Sequence, residues 1–193
     1  MLDYNVIADV SKTLKEALVG VLAPAPLGAT AEIHDLHGSI STSPARLTLF
    51  LFETSEDPSA RNRPVRREIK PSSLILHKPA MALALRYLVT PWGGDRATEH
   101  SLLGRGMQFF YDNAILSGPA LQGVLSGTDQ ALKITLMPLT LEERTRVWHS
   151  VQKPYRLSVA YEVRVVNLVS ENSETLPAVV QRTLDNAMPE ALS

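Results

Sequence analysis

The sequence predicts an α+β domain, a mixed β-sheet with flanking helices. Three observations predict it. Apolar residues recur at spacings of three and four in some stretches and alternate in others, so both periods are present. Along the chain the stretches run helix, strands, long loop, strand, helix, strand, helix, strand, with no internal repeat. The length of 193 residues with 45% hydrophobic residues suits one domain with a substantial core and an appended arm.

The first helix is read over residues 3–22, where Val6, Val10, Leu14, Ala17, Leu18 and Val21 draw one apolar stripe. Asp3 is placed to cap it and Leu2 to staple against Ile7. "APAPLG" ends it, because each proline removes a donor and restrains its predecessor. A weak strand "AEIHDL" precedes a strong one, "ARLTLFLFET". In the latter Leu47, Leu49 and Leu51 share one face and Phe50 and Phe52 the other, so the strand is expected to be covered on both sides. "ALALRYLVT" puts Leu83, Leu85, Tyr87 and Val89 on one face and Arg86 among small residues on the other.

After "TPWGG" the chain turns into a helix over residues 96–112, with Asp95 at the cap, Glu99 in the first turn and Leu103, Gly106, Met107 and Phe110 along one face. "ALKITLM" and "RLSVAYEVRVV" alternate cleanly, and the second is expected to have a wet or polar face carrying Ser158, Glu162 and Arg164. Between them "TLEERTRVWHSV" is a helix with a capping box, Thr140 at the cap and Glu143 three residues on. Periodicity fades after Leu168. The domain is therefore taken as residues 1–168 and the C-terminal arm as 169–193.

Composition narrows the function. Lys and Arg number 19 against 20 Asp and Glu, so nothing advertises nucleic acid or an anionic membrane. The absence of cysteine removes disulfides and thiolate metal sites. No apolar run approaches the ~20 residues of a membrane helix, and the acidic and polar first turns are unlike a signal peptide. Gly118 and Gly123 have the first spacing of a phosphate-binding loop, but Val124 stands where the lysine is needed. Other nucleophile, metal and dinucleotide motifs are missing, and no cofactor is expected. His34 and His37, on a strand, would point to opposite faces, while His77 and His149 have no partner pattern.

Two places remain. One is the turn holding Asp95, Glu99 and His100, an acid and base neighbourhood behind two glycines. A lone His at position 100 is read as a half-buried residue flanking the helix stripe. The other is "EDPSARNRPVRREIKPSS", read as a long loop in which Arg61, Arg63, Arg66, Arg67 and Lys70 crowd together. With net charge near zero, an acidic protein surface suits these guanidinium groups better than nucleic acid does.

Five stretches then follow each other in a telling order: "RLTLFLFETSEDPSARNRP", "KPAMALALRYLVTPWG", "TEHSLLGRGMQFFYDN", "LKITLMPLTLEERTRVW" and "KPYRLSVAYEVRVV". Over residues 2–168 the chain resembles the cap, or tail-terminator, proteins of contractile injection systems of the virulence-cassette and antifeeding-prophage type. Ala114 and "REIKPSS" depart from that pattern, both in loops. The resemblance implies a terminator fold and a homo-hexameric ring. That ring ends the inner tube and holds the last sheath layer, with sheath protein and tube protein as partners. It implies assembly in the cytoplasm and incorporation into the particle, no nucleic acid, and no membrane insertion. On this reading Arg61, Arg63, Arg66, Arg67, Glu99 and His100 are candidate contacts between proteins, and there is no enzyme. The alternative is a small hydrolase or binding enzyme using Asp95, Glu99 and His100, which would require an orienting partner for the histidine and a pocket beside it.

Overall fold

Residues 4–60, 64–71, 73–168 and 173–177 are described by a computed structural model. The elements are α1 (Val6–Leu22), β1 (Thr30–Ile33), β2 (Arg46–Glu56), β3 (Arg66–Lys70), β4 (Ser73–His77) and β5 (Met81–Trp92), then α2 (Arg96–Asp112), β6 (Ile115–Ser117), β7 (Ala131–Met137), α3 (Leu141–Ser150), β8 (Val159–Leu168) and β9 (Ser173–Pro177). They form two compact units, one of residues 1–63 and 80–169, the other of 64–79 and 170–193.

The first unit holds a six-stranded sheet in the order β1-β2-β5-β8-β7-β6. β1 runs parallel to β2 and the other pairs are antiparallel, so the sheet is mixed, as expected. Alternation along β5 serves two cores. Leu83, Leu85, Tyr87 and Val89 enter the larger one, with Val10, Leu14 and Leu18 of α1 and Leu102, Leu103 and Phe110 of α2. Leu88 enters the smaller one, with Trp148 of α3, Ala160 and the half-buried Phe50 and Phe52. The two-sided burial read from β2 is thus observed. β8 divides likewise: Tyr161, Val163 and Val165 join the larger core, while Ser158 and Ala160 are buried at the other face and Arg164 is exposed.

Polar residues of α1 pin the loop between β6 and β7. The Asp9 carboxylate accepts from the Val124 N–H (2.8 Å), and Thr13 Oγ1 accepts from the Gln122 N–H (3.0 Å). Gly123 passes directly over Asp9 at φ +59°, where an added Cβ would collide with the carboxylate. Asp9 therefore has a structural partner that no local sequence pattern reveals.

Several sequence expectations are corrected. α1 begins at Val6 behind Asn5, which makes no side-chain cap bond; Leu2 and Asp3 lie outside the described residues. β1 ends at Ile33 rather than reaching Leu36, because Leu36 sits at φ +65° and its N–H donates back to His34 Nδ1 (2.8 Å). "EDPSARNRPVRREIKPSS" is not a loop throughout: it contains a 3-10 turn at Pro58–Ala60 and strand β3. β3 pairs with β4, and β9 pairs with β4 on its other side, giving a three-stranded antiparallel sheet in the second unit. Residues 178–193 of the expected arm lie outside the described residues.

Tyr87 supplies a pH test of the larger core. Its ring is fully buried and its hydroxyl shares a 2.7 Å hydrogen bond with Ser11 Oγ. Burial pushes the phenol from 10 up to about 12, with the Ser11 bond pulling the other way. Tyr161 is raised by burial to about 12 as well. An unfolded phenol ionises near 10 while the folded one keeps its proton, so the contribution is complete below pH 10 and lost as pH rises towards about 12. Urea midpoints measured across that window are expected to fall. Tyr87→Phe, which has no proton to lose, is expected to flatten the fall, and an unchanged profile would contradict this account.

Candidate functional site

The corner between β5 and α2 is built around two acids with different tasks. Asp95, at φ −146°, accepts from the Thr98 N–H (2.9 Å) and from the Thr98 hydroxyl (2.6 Å). The Thr98 hydroxyl, and then its amide, hold the Asp95 carboxyl below its ordinary value. This is the helix cap expected from the sequence. Glu99, one turn on, is only 6% exposed. Its carboxylate accepts from Arg96 (2.7 Å), from the Gly93 N–H (3.4 Å) and from the Arg156 guanidinium. Gly93 packs closely here: an added Cβ would lie 3.2 Å from Thr98 Cγ2 and 3.3 Å from Glu99 Cγ.

Arg156 also lies over the Trp92 ring, 4.2 Å from its centroid. The Trp92 indole N–H donates to Thr48 Oγ1 (2.9 Å), whose hydroxyl donates to the Thr90 carbonyl (3.3 Å). Glu99 therefore joins the end of β5, the start of α2 and the approach to β8. His100 points elsewhere. It is exposed, not half-buried, and makes no hydrogen bond or ion pair among the described residues. The helix buries Glu99, Leu102, Leu103, Gly106 and Phe110, which places His100 about 100° around from Glu99. Among the described residues the Asp95, Glu99 and His100 neighbourhood does not converge: one acid caps, one is shared by arginines, and no group orients the histidine.

The basic segment is only partly in view. Arg61 and Arg63 lie outside the described residues, Arg66 opens β3, and Arg67 on the same strand is exposed. Glu68 is engaged across the hairpin by His77 Nε2 (3.0 Å) and by Lys70 (3.6 Å). The His77 bond first, then the Lys70 charge, hold its carboxyl below the ordinary value. His77 thus has a partner that only strand register reveals. His34 is taken up in its own turn, and His37 and His149 are exposed. Among the described residues no group of three His, Asp or Glu side chains could hold a metal ion.

A charge ladder missed by sequence reading crosses the sheet. A bulge between Leu51 and Glu53 sets Glu53 opposite Arg86, which is itself opposite Glu162. Arg86 Nη1 donates to both Glu53 oxygens (2.8 and 2.7 Å) and its Nε to Glu162 (3.3 Å). The Glu53 bond leads in raising the Arg86 pKa. Arg164 Nε continues the row to Glu162 at 2.9 Å and Asp57 at 3.9 Å. In the sequence Arg86 stands alone among small residues; its carboxylates arrive from other strands.

The fold and these sites define an α+β domain in which charged side chains among the described residues brace turns and strands. The chain belongs to the Pvc16 N-terminal domain family, whose model matches residues 9–182. The resemblance carried by the five stretches is thereby borne out. No curated protein sequence matches the chain. Among the solved structures that share its fold are two terminators. One is the PVC sheath/tube terminator of an extracellular contractile injection system in the extended state, at TM-score 0.67 and 18% identity, covering 97% of this chain and 65% of that one. The other is the tube terminating cap of the anti-feeding prophage, at TM-score 0.60 and 19% identity, covering 93% of this chain and 60% of that one. The chain spans less than two thirds of the length of either.

The division of labour at the corner is testable by substitution. Glu99→Gln leaves Arg156 and Arg96 facing a neutral amide, and is expected to destabilise the fold by about 1–3 kcal/mol in urea unfolding. His100→Ala, which removes only an exposed ring, is expected to stay within about 0.5 kcal/mol of the parent. Equal effects at the two positions would refute the assignment.

Proposed function

We propose that the chain is a terminating cap subunit of a contractile, phage-tail-like injection particle. Six copies form a ring that ends the inner tube and holds the last sheath layer. The observation that carries this reading is agreement of fold with two tube terminators over 97% and 93% of the chain. The partners are further copies of the chain, sheath protein and tube protein. Assembly begins in the cytoplasm, and the finished subunit stays with the particle.

The physical chemistry supports a structural role. A ring subunit needs unlike surfaces that meet by rotation and close. Exposed apolar side chains are spread over separate elements: Ile69 is 84% exposed and Tyr111 86% exposed. The near-balanced charge gives no electrostatic drive towards nucleic acid, and no helix among the described residues is long and apolar enough to cross a membrane. The hydrolase alternative loses its geometric support, since His100 has no orienting partner among the described residues.

Within this reading Arg61, Arg63, Arg66 and Arg67 dock on carboxylates of a neighbouring subunit or sheath, and His100 is available to the same kind of contact. Glu99 serves indirectly by holding the corner. Residues 1–168 act as the cap domain and 169–193 as the arm, with β9 giving the arm a seat on β4.

Reconstruction of purified particles is expected to show six-fold symmetry at the baseplate-distal end, and any other symmetry there rejects the ring. Replacing Arg61, Arg63, Arg66 and Arg67 together with Ala is expected to leave the circular dichroism spectrum unchanged. Cap retention on particles should fall, more so as salt is raised. Retention equal to the parent removes the arginines from the interface.

A further inference from the structure

Both tryptophans of the chain line one groove of about 390 Å³, at the end of the sheet where β5 meets α2. Trp148 is its floor, 1% exposed, with the indole N–H donating to Ser158 Oγ (3.2 Å). Trp92 carries the Arg156 guanidinium on its face, and Tyr155, 41% exposed, stands at the rim. Three cations share the lining, Arg96, Lys153 and Arg156, and no carboxylate does. The acid nearest to hand is Glu99, buried beneath and divided between Arg96 and Arg156. Lys153 Nζ donates to the Gly38 carbonyl (2.6 Å) and has no ion pair among the described residues. The groove therefore combines an aromatic floor with excess positive charge.

We propose that this groove docks a peptide segment of a partner protein in which an aromatic side chain stands beside carboxylates. Its volume falls in the range that takes a few side chains and is too small for a folded surface. An aromatic ring would pack against Tyr155 at the rim and the half-buried Trp92, where ring faces and edges pair favourably. Flanking carboxylates would meet Lys153, whose ammonium keeps free donors, and Arg96, whose side chain is 74% exposed. Charge complementarity selects an acidic occupant. It disfavours a nucleic-acid strand, which needs a basic track longer than one groove, and the chain's net charge is −1. Aromatic and arginine side chains gathered in a pocket are also the composition of strong contact points between proteins. The proposal holds whether or not the chain caps a tube.

Because both tryptophans line the groove, intrinsic fluorescence of the full chain reports its occupancy directly. The probes are a short peptide with one Phe flanked by Asp and Glu, the same peptide with Asn and Gln in their place, and a short oligothymidine. The acidic peptide is expected to give a saturable change that weakens with salt. The neutral peptide is expected to bind about tenfold more weakly. Lys153→Gln, a mild change at the rim, is expected to weaken the acidic peptide about fivefold. Lys153→Glu is expected to abolish it while circular dichroism stays at the parent spectrum. Arg146→Glu, on an exposed cation of α3 outside the groove, is expected to bind as the parent does. No saturable change with the acidic peptide, equal binding of the neutral one, or tighter binding of oligothymidine would each overturn the proposal.

Discussion

Burial of β5 on both faces is the constraint from which the rest of the first unit follows. A strand of twelve residues with apolar side chains on both sides needs a layer on each. α1 and α2 supply one layer and α3 the other. The flanking strands inherit the requirement, and β2 meets it with leucines on one face and phenylalanines on the other. The one charged residue in the middle of β5, Arg86, is tolerated because Glu53 and Glu162 stand directly across from it. Removing the bulge at Phe52 would turn Glu53 towards the larger core and leave Arg86 short of a carboxylate, so the bulge and the arginine belong together.

Where β5 ends, the same logic passes to a single carboxylate. Glu99 is deep enough that an isolated charge there would be costly, yet it collects two guanidinium groups and a backbone N–H. One of those guanidiniums stacks on Trp92, so its position is fixed from two sides. This arrangement makes the corner rigid and positions the cationic rim above it.

Much of this was legible in the sequence, for reasons that can be named. α2 runs from Arg96 to Asp112 with its Asp95 cap, and α3 carries the Thr140 and Glu143 capping box, because caps are written within a few consecutive residues. β7 likewise matches its alternating stretch. The helix stripe of α2 was read one step off centre: Glu99 and Leu102 are inside, Met107 sits on the shoulder and His100 lies outside. That small rotation reverses the roles expected of adjacent residues 99 and 100. What stayed hidden was long-range. Arg156 reaches Glu99, and Glu162 reaches Arg86, from distant parts of the chain, and a bulge changes the phase of β2 with no glycine or proline to announce it. The turn at Leu36 was hidden too, since a leucine at positive φ carries no local signal.

The second unit shows how sequence distance and function are tied. The β3 and β4 hairpin carries Arg66 and Arg67, but a two-stranded hairpin is marginal by itself in water. The third strand comes from beyond Leu168: β9 lies along β4 with Ser73 opposite Pro177 and Leu74 opposite Leu176. The register groups Ile69, Leu74 and Leu176 on one face of the sheet, with Glu68 and His77 paired on the other. The segment read as a basic loop and the segment read as an arm are thus parts of one sheet. Any role for the arginines of β3 rests on a scaffold that the late strand completes. The hairpin gains its second ladder only when that strand arrives, so the arginines of β3 and the arm are physically coupled even though about half of the chain lies between them.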